Sequence, residues 1–562
     1  MPVRGPLRGG VQVTGDATID ASEDPGNSAA TGADRGAPPG EFTHWLEKIA
    51  YAADRLATRP RLLVAVFLVG AGIALLYRPF SQMEVGDTSI YDYIAQAIVR
   101  GQLPYRDVVD IKWPGSHYLS ALSILVGNLF GVRDILAIRA LHVVAVGLLS
   151  VVIFLAAENY TRSAIAGVIA FIAPLITSRF LLWMVAGTQP KLFTILFGML
   201  ALVLLSRDRP FWAGLLSMLA CTCWQPGLMF TGAVFLLASR YLTSWRDLRA
   251  LRVAAGAAIP LVVLFGYFYL RGGLNDLWQW TIVYNYSVFG PEANRGAGGG
   301  FAHLQRVANR IFGSDNEFVL ISAVGWLVFV IRSVWWKFKY KRLVDPTRPF
   351  RDAIIWPPAV YFLFCLVNFQ AGPDLIPFFP FIGIFAAYLF VGLGRFAMTT
   401  RFFSRLSGRM VISWIPQLAA ATLLLLALGR GALYRLDTWT YRDQERRFEV
   451  IKQVLGPDDK LFVHGTTEIL VLLNRPNVNP YVLLDWGADE FAASKRPGGF
   501  QQILDEIDAQ QPRIVALSRL KTLANGPRLM EWAQSHYEKL DVPDYDGIFV
   551  RRDGRSAGGF KR

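Results

Sequence analysis

Three cysteines stand in 562 residues, Cys221, Cys223 and Cys365, and all of them fall inside long apolar stretches. Neither a disulfide framework nor a zinc cluster can be built from them, so they read as small apolar packing residues. Charge is scarce as well: Asp, Glu, Lys and Arg make up 18% of the chain, against 53% hydrophobic and 13% aromatic residues. One soluble core cannot hide that much apolar surface, which excludes an ordinary soluble protein. The first forty residues are rich in Gly, Ala, Asp and Pro and have no apolar segment, so residues 1–60 read as a disordered cytoplasmic segment rather than a cleaved signal peptide. The glycine-rich stretch Gly296-Ala297-Gly298-Gly299-Gly300 lacks the Lys-Ser/Thr ending of a phosphate-binding loop and follows no strand. It reads as a flexible external loop.

What is present is a series of apolar runs, each near the length of about 20 residues that a helix needs to span a ~30 Å hydrocarbon core. Barrel strands would alternate polar and apolar residues, and these runs do not. Eleven spans are predicted: 62–79, 135–157, 163–180, 189–206, 210–224, 226–241, 253–271, 317–334, 353–370, 375–394 and 411–429. Ten or twelve remain open, because Gln225-Pro226-Gly227 interrupts the stretch 210–241. The net charge of +14 does not imply nucleic acid, since Lys and Arg cluster in short loops between the runs. With the N-terminus in the cytoplasm, four successive basic loops fall inside, as the positive-inside rule requires. The C-terminal segment then lies outside. The fold class is an all-α polytopic membrane protein with a membrane domain at 61–435, an external loop at 80–134 and a small extracytoplasmic α/β domain at 440–553. In that last domain helices are predicted at 443–455, 467–473, 500–510 and 528–539, and strands at 460–464, 513–517 and 547–551. His464 and His536 stand alone there and carry no catalytic signature.

The external loop 80–134 contains two helical patterns, 89–100 and 115–130. Reading the second as interfacial rather than spanning preserves the charge pattern downstream. The loop also concentrates ionisable residues: Glu84 and Asp87, then Tyr105-Arg106-Asp107, then Asp110-Ile111-Lys112-Trp113-Pro114. Carboxylates and a lysine at a membrane surface are costly unless paired or used.

Three motifs in this loop carry a resemblance: Asp87-Thr88-Ser89-Ile90-Tyr91-Asp92-Tyr93, Gly101-Gln102-Leu103-Pro104-Tyr105-Arg106-Asp107, and Lys112-Trp113-Pro114. Their order and spacing resemble the first external loop of the GT-C superfamily of polyprenol-dependent glycosyltransferases, in particular the dolichyl-phosphate-mannose protein mannosyltransferase and aminoarabinose transferase group. The resemblance implies an inverting transfer of sugar from a polyprenyl-phosphate carrier to an envelope glycan, lipid or protein acceptor at the extracytoplasmic face. It implies Asp87 as the catalytic base and Lys112 as the contact to the departing phosphate. Glu84 is a second candidate base or a partner that tunes Asp87, because neighbouring carboxylates raise one pKa. Tyr105, Asp110, Arg139 and Lys191 complete the candidate substrate-binding set.

Each of these residues also has a plain structural reading. Asp87 could cap a helix, Lys112 could snorkel or pair with Asp110, Asp107 and Asp110 could hold the turn, and Arg139 and Lys191 could be interfacial anchors. Related enzymes commonly carry an acidic residue where this chain has Thr188-Gln189-Pro190-Lys191. No metal ligand is therefore assigned, no cofactor is certain, and dependence on a divalent metal stays open. Trp278, Trp280, Tyr284 and Tyr286 form an aromatic cluster that suits either an interfacial belt or stacking on a sugar. Asp374 opens a later span and is a candidate for donor binding. Two rival functions are a transporter or flippase of lipid-linked sugars and a catalytically silent scaffold. A transporter would bury charge near the midplane and carry inverted repeats, and no repeat is visible in the sequence.

Overall fold

A computed structural model describes residues 60–240, 248–290, 317–340, 351–368, 372–399, 414–436 and 439–552. The glycine-rich stretch 296–300 lies outside them. In the membrane part the chain runs through α1 (Pro60–Leu76), α2 (Gly86–Val99), α3 (Gly115–Leu129), α4 (Asp134–Thr161), α5 (Ala164–Ile172), α6 (Ser178–Val185), α7 (Pro190–Ser206), α8 (Pro210–Cys223), α9 (Leu228–Arg240) and α10 (Arg249–Leu270). Then follow α11 (Glu317–Tyr340), α12 (Trp356–Val367), α13 (Phe379–Thr399) and α14 (Ile415–Leu433). Proline opens α7 and α8, where its missing N–H costs nothing.

Among the described residues, α1, α4, α10, α11, α13 and α14 are long and apolar enough to cross a membrane, while α7, α8, α9 and α12 are shorter apolar helices. The protein is an integral multi-pass membrane protein. Each predicted span has a helical counterpart, but the third differs in shape. Instead of one helix over 163–180, α5 passes into a 3-10 turn at Ala173–Ile176, and α6 sets off at 80° to it. Pro174 supplies no N–H to continue the α-helical ladder, and Thr177 adopts an extended backbone. Helices approach closely through small residues. A Cβ added to Gly214 would lie 2.1 Å from the carbonyl oxygen of Val253, and one on Gly256 would lie 2.0 Å from that of Phe211. Those two glycines therefore set the spacing of α8 and α10.

The helix α3 is not among the apolar membrane-crossing helices. It exposes Leu122, Leu125, Val126, Leu129 and Phe130 along one face and buries Ser116, His117, Ser120, Ala121 and Ile124 along the other. That division suits a helix lying in the interface.

The C-terminal part contains α15 (Tyr441–Val454), β1 (Leu461–His464), α16 (Glu468–Leu473), α17 (Ala488–Ser494), α18 (Gly499–Ala509), β2 (Ile514–Leu517), α19 (Gly526–His536), β3 (Tyr537–Lys539) and β4 (Ile548–Arg551). A capping box between Thr440 and Asp443 starts α15. The sheet order is β1-β2-β4-β3, with β1 and β2 parallel and the other pairs antiparallel. The helix predicted at 528–539 stops at His536, because residues 537–539 pair with β4 as an edge strand. Sheet pairing overrides local helical pattern there. His464 is a core residue: Leu484 N–H donates to its Nε2, and its Nδ1 meets the Ser518 carbonyl.

The segment between α1 and α4 is packed against this C-terminal part. Ile90, Tyr91, Tyr93 and Ile94 of α2 share a core with Phe448, Ile451, Val463 and Leu470. Leu103, Tyr105 and Val109 share another with Trp280, Tyr284, Tyr481 and Phe491. The predicted aromatic cluster is thereby split. Trp280 and Tyr284 are buried against the C-terminal part, with the Tyr284 hydroxyl donating to the carbonyls of Asp485 and Trp486, whereas Trp278 and Tyr286 are exposed.

Candidate active site

The chain leaves α1 and reaches α2 through an extended residue, Val85, and then Gly86 at φ 59°, a left-handed turn that glycine makes without a Cβ penalty. Asp87 follows in the first turn of α2 and is exposed. The helix-cap position belongs to Val85, so Asp87 is not the capping residue, although its charge suits the positive end of the helix dipole. One turn later comes Tyr91, whose ring is buried and whose hydroxyl donates to Asp87 Oδ2 at 3.2 Å. Lys112 Nζ in turn donates to the Tyr91 hydroxyl and sits 4.5 Å from the centre of its ring. Burial pushes the Tyr91 hydroxyl well above its ordinary pKa, and the charges of Asp87, Asp110 and Asp374 push it further. It therefore stays a donor, and the chain from ammonium to phenol to carboxylate has one direction.

The turn that carries Lys112 is held from several sides. The Tyr105 hydroxyl donates to the Lys112 carbonyl at 2.6 Å, while Tyr105 itself sits at φ 71° with its ring against Phe268. A bulky residue in that backbone region is strained, and the surrounding packing holds it there. Asp107 accepts from the Leu103 N–H and from Arg106. Gln225 and Asn285 each donate to the carbonyl of Ile111 at 2.8 Å. Asp110 does not take Lys112 as its hydrogen-bond partner: His117 Nε2 lies 2.7 Å from its Oδ2, and the N–H of Ile111 donates to its Oδ1. Burial would raise the Asp110 carboxyl, but the bond and charge of His117, the Lys112 charge and the Ile111 bond outweigh it and hold the group below the usual range. His117 stacks on Tyr91 with ring centres 5.4 Å apart.

Glu84 and Arg139 belong to a different, fully buried cluster. Arg139 donates to Glu84 Oε1 at 2.6 Å, and both side chains are 0% exposed. Arg139 also donates to the Ala186 carbonyl at 2.9 Å. Asp92, on the inner side of α2, accepts from the N–H of Thr188 at 2.7 Å. Glu84 Oε2 and Asp92 Oδ2 are buried without hydrogen-bond partners. Burial and the Asp92 charge hold the Glu84 carboxyl well above its ordinary value in spite of Arg139. Burial lifts Asp92 to about 6, against the bonds from Thr188 and the charge of Arg139. Two such carboxyls and one guanidinium balance when one carboxyl keeps a proton. The carboxylate that bears on Glu84 is thus Asp92 rather than Asp87.

Lys191 forms a third element, an ion pair with Asp374 at 2.6 Å, packed 5.1 Å from the Trp224 ring. The structure therefore joins Asp87 and Lys112 through Tyr91, sets Tyr105 and Asp110 at the Lys112 turn, pairs Glu84 with Arg139, and pairs Lys191 with Asp374. Tyr91 and His117 were not singled out by the sequence, although the spacing of Asp87 and Tyr91 by one helical turn puts both on one face. Among the described residues no group of three or more His, Cys, Asp or Glu side chains is arranged to hold a metal ion.

No protein-family model and no curated protein sequence matches the chain. Solved structures do match. ArnT from Cupriavidus metallidurans bound to undecaprenyl phosphate aligns over 87% of this chain and 97% of its own, with a TM-score of 0.53 and 16% identity. The archaeal oligosaccharyltransferase AglB from Archaeoglobus fulgidus, in complex with an inhibitory peptide and a dolichol-phosphate, aligns over 89% of this chain and 75% of its own, with a TM-score of 0.52 and 12% identity. Identities this low speak to architecture, and on that ground the chain has the fold of the GT-C membrane glycosyltransferases.

Proposed function

We propose that this protein is a membrane glycosyltransferase that takes a sugar from a polyprenyl-phosphate carrier and passes it, with inversion, to a glycan, lipid or protein acceptor at the extracytoplasmic face. The observation that carries the reading is the exposed Asp87 carboxylate joined through the Tyr91 hydroxyl to the Lys112 ammonium. An acceptor hydroxyl gives its proton to Asp87 as its oxygen attacks C1 of the sugar. The bond from C1 to the phosphate oxygen breaks, and its electron pair leaves with the polyprenyl phosphate. Lys112 stabilises the charge that gathers on that phosphate, an interaction that grows toward the transition state. The exposed apolar face of α3, from Leu122 onward in the helix that follows the Lys112 turn, offers the prenyl tail a lipid-side path. The fold likeness to proteins holding undecaprenyl phosphate and dolichol-phosphate supports the same class of donor.

In this scheme Tyr105 and Asp110 hold the Lys112 turn rather than touch substrate. Glu84 and Arg139 stay outside the chemistry because each is buried in the other's grasp. Lys191 becomes a second phosphate contact only by exchanging Asp374 for the phosphate. Mass spectrometry of envelope glycans from cells with the wild-type protein, with Asp87→Asn and without the protein tests the reading. A product lost both in the deletion and in Asp87→Asn supports it, provided that the purified variant still binds undecaprenyl phosphate. An unchanged product in Asp87→Asn cells overturns it, and lipid-linked sugar transport that survives the change would favour a flippase. Mapping residues 82–115 to the cytoplasmic side would also overturn it.

A further inference from the structure

The peptide that leads into the candidate base is gripped by a single side chain from the C-terminal part of the protein. Gln444, on α15, is fully buried, and so is Glu84. The Glu84 N–H donates to Gln444 Oε1 at 2.8 Å, and Gln444 Nε2 donates to the Glu84 carbonyl at 2.8 Å. The second Nε2 proton goes to the Tyr545 hydroxyl at 3.1 Å. One amide thus satisfies both backbone groups of Glu84, as a neighbouring strand would, and the Glu84 N–H and carbonyl between them fix which end of the amide is oxygen and which is nitrogen. The side chain of the same residue is held from the opposite direction by Arg139 of α4. Asp87 follows three residues later, across the turn at Gly86.

From this arrangement we infer that Gln444 is a positioning residue for Asp87, and that the C-terminal α/β part sets the geometry of the transfer site. The inference rests on the reading of Asp87 as the base. The reason is mechanical. The segment before α2 has an extended residue at Val85 and a left-handed glycine at position 86, a joint with no regular hydrogen-bond ladder of its own to fix the direction in which the helix leaves. Two bonds from a buried amide, itself tied to the Tyr545 hydroxyl, supply that direction. Further along the loop the same part of the protein adds other fixings: Asn477 N–H donates to the Tyr93 hydroxyl oxygen at 2.7 Å, and Val109 N–H donates to the Pro480 carbonyl at 2.9 Å. Those hold the middle of α2 and the Lys112 turn, while Gln444 holds the start of α2, where the base is. A displacement of about an ångström at a reacting group costs on the order of a hundredfold in rate.

The test uses the full-length protein in lipid nanodiscs. Gln444→Met keeps the volume and removes both bonds; Gln444→Asn keeps the amide on a shorter stem. Hydrogen exchange at residues 82–88, undecaprenyl-phosphate binding, the thermal unfolding midpoint and the turnover of sugar transfer are measured for each. The expected result for Gln444→Met is faster exchange at the Glu84 amide and a drop of about 10- to 100-fold in kcat. The unfolding midpoint should fall, because the buried N–H and C=O of Glu84 lose their partner, while carrier affinity should stay close to wild type and Gln444→Asn should fall between Met and wild type in kcat. Wild-type kcat in Gln444→Met overturns the inference, as does a loss of carrier binding in parallel with kcat, which would mark a merely structural residue. If Asp87→Asn keeps full turnover, the functional reading fails instead, and the exchange data then decide whether the clamp exists apart from it.

Discussion

Two groups of charged side chains stand within one loop and its neighbours, and they have opposite characters. Asp87, Tyr91 and Lys112 form a chain that ends in an exposed carboxylate, whereas Glu84, Asp92 and Arg139 are sealed from solvent and spend their charge on one another. Glu84 and Asp87 are three residues apart and have the same chemistry in sequence. Burial separates them: a carboxylate with access to a substrate hydroxyl can act as a base, and one locked to a buried guanidinium acts as a strut.

The largest test of that contrast is Asp87→Asn, expected to lower turnover by about 10²- to 10⁴-fold, the usual worth of a general base, while the unfolding midpoint stays close to wild type. A midpoint that falls sharply would make Asp87 a strut as well. Arg139→Ala should do the reverse. It strands Glu84 in the interior, and breaking a buried pair costs about 3–5 kcal/mol, seen as a large drop in the thermal unfolding midpoint of the detergent-solubilised protein. Lys112→Ala should cost about 10²- to 10³-fold in turnover, as expected for one removed stabiliser of developing negative charge. Its effect on stability should be smaller than that of Arg139→Ala. If the two variants unfold at the same lowered temperature, the division between the clusters is wrong.

The smallest effect is a pH dependence. The folded pKa of Asp92 is raised by burial to about 6, above the ordinary value near 3.8. The folded state therefore holds this proton more tightly than the unfolded state does. The resulting stability is fully present below about pH 4 and lost as pH climbs through about 6. Asp92→Asn removes the titration and can still accept from Thr188. Unfolding midpoints taken from pH 4 to 8 should show wild type losing ground to the variant as pH rises. A constant difference across that range would mean that Asp92 does not titrate there.

Much of the architecture was legible because it follows from simple periodicity. The eleven apolar runs have helical counterparts, and α3, read as a non-spanning helix from the charge pattern, is not among the helices long and apolar enough to cross a membrane. The broken third span was harder. Pro174 lies inside an apolar run and could have marked the break, but the 80° turn into α6 depends on packing against neighbouring helices. The edge strand at residues 537–539 was read as helix because these residues continue the helical pattern of 528–536, and only pairing with the next strand, β4, draws them into the sheet. In the candidate site, Asp87 and Lys112 were legible as charge that called for a partner or a use; Tyr91, which joins them, was not singled out. The pairing of Glu84 with Arg139 and that of Lys191 with Asp374 were not, since each joins residues 55 or 183 positions apart.

What the amino-acid sequence determined by itself was the solvent of each segment. Apolar content and the spacing of basic loops suffice for that, because transfer free energies add locally along the chain. Tertiary structure alone decided which charges were free to act. An ion pair, a buried carboxyl and the grip of Gln444 on Glu84 arise only when distant segments meet in a medium of low dielectric, where a partner's presence or absence determines the state of the charge.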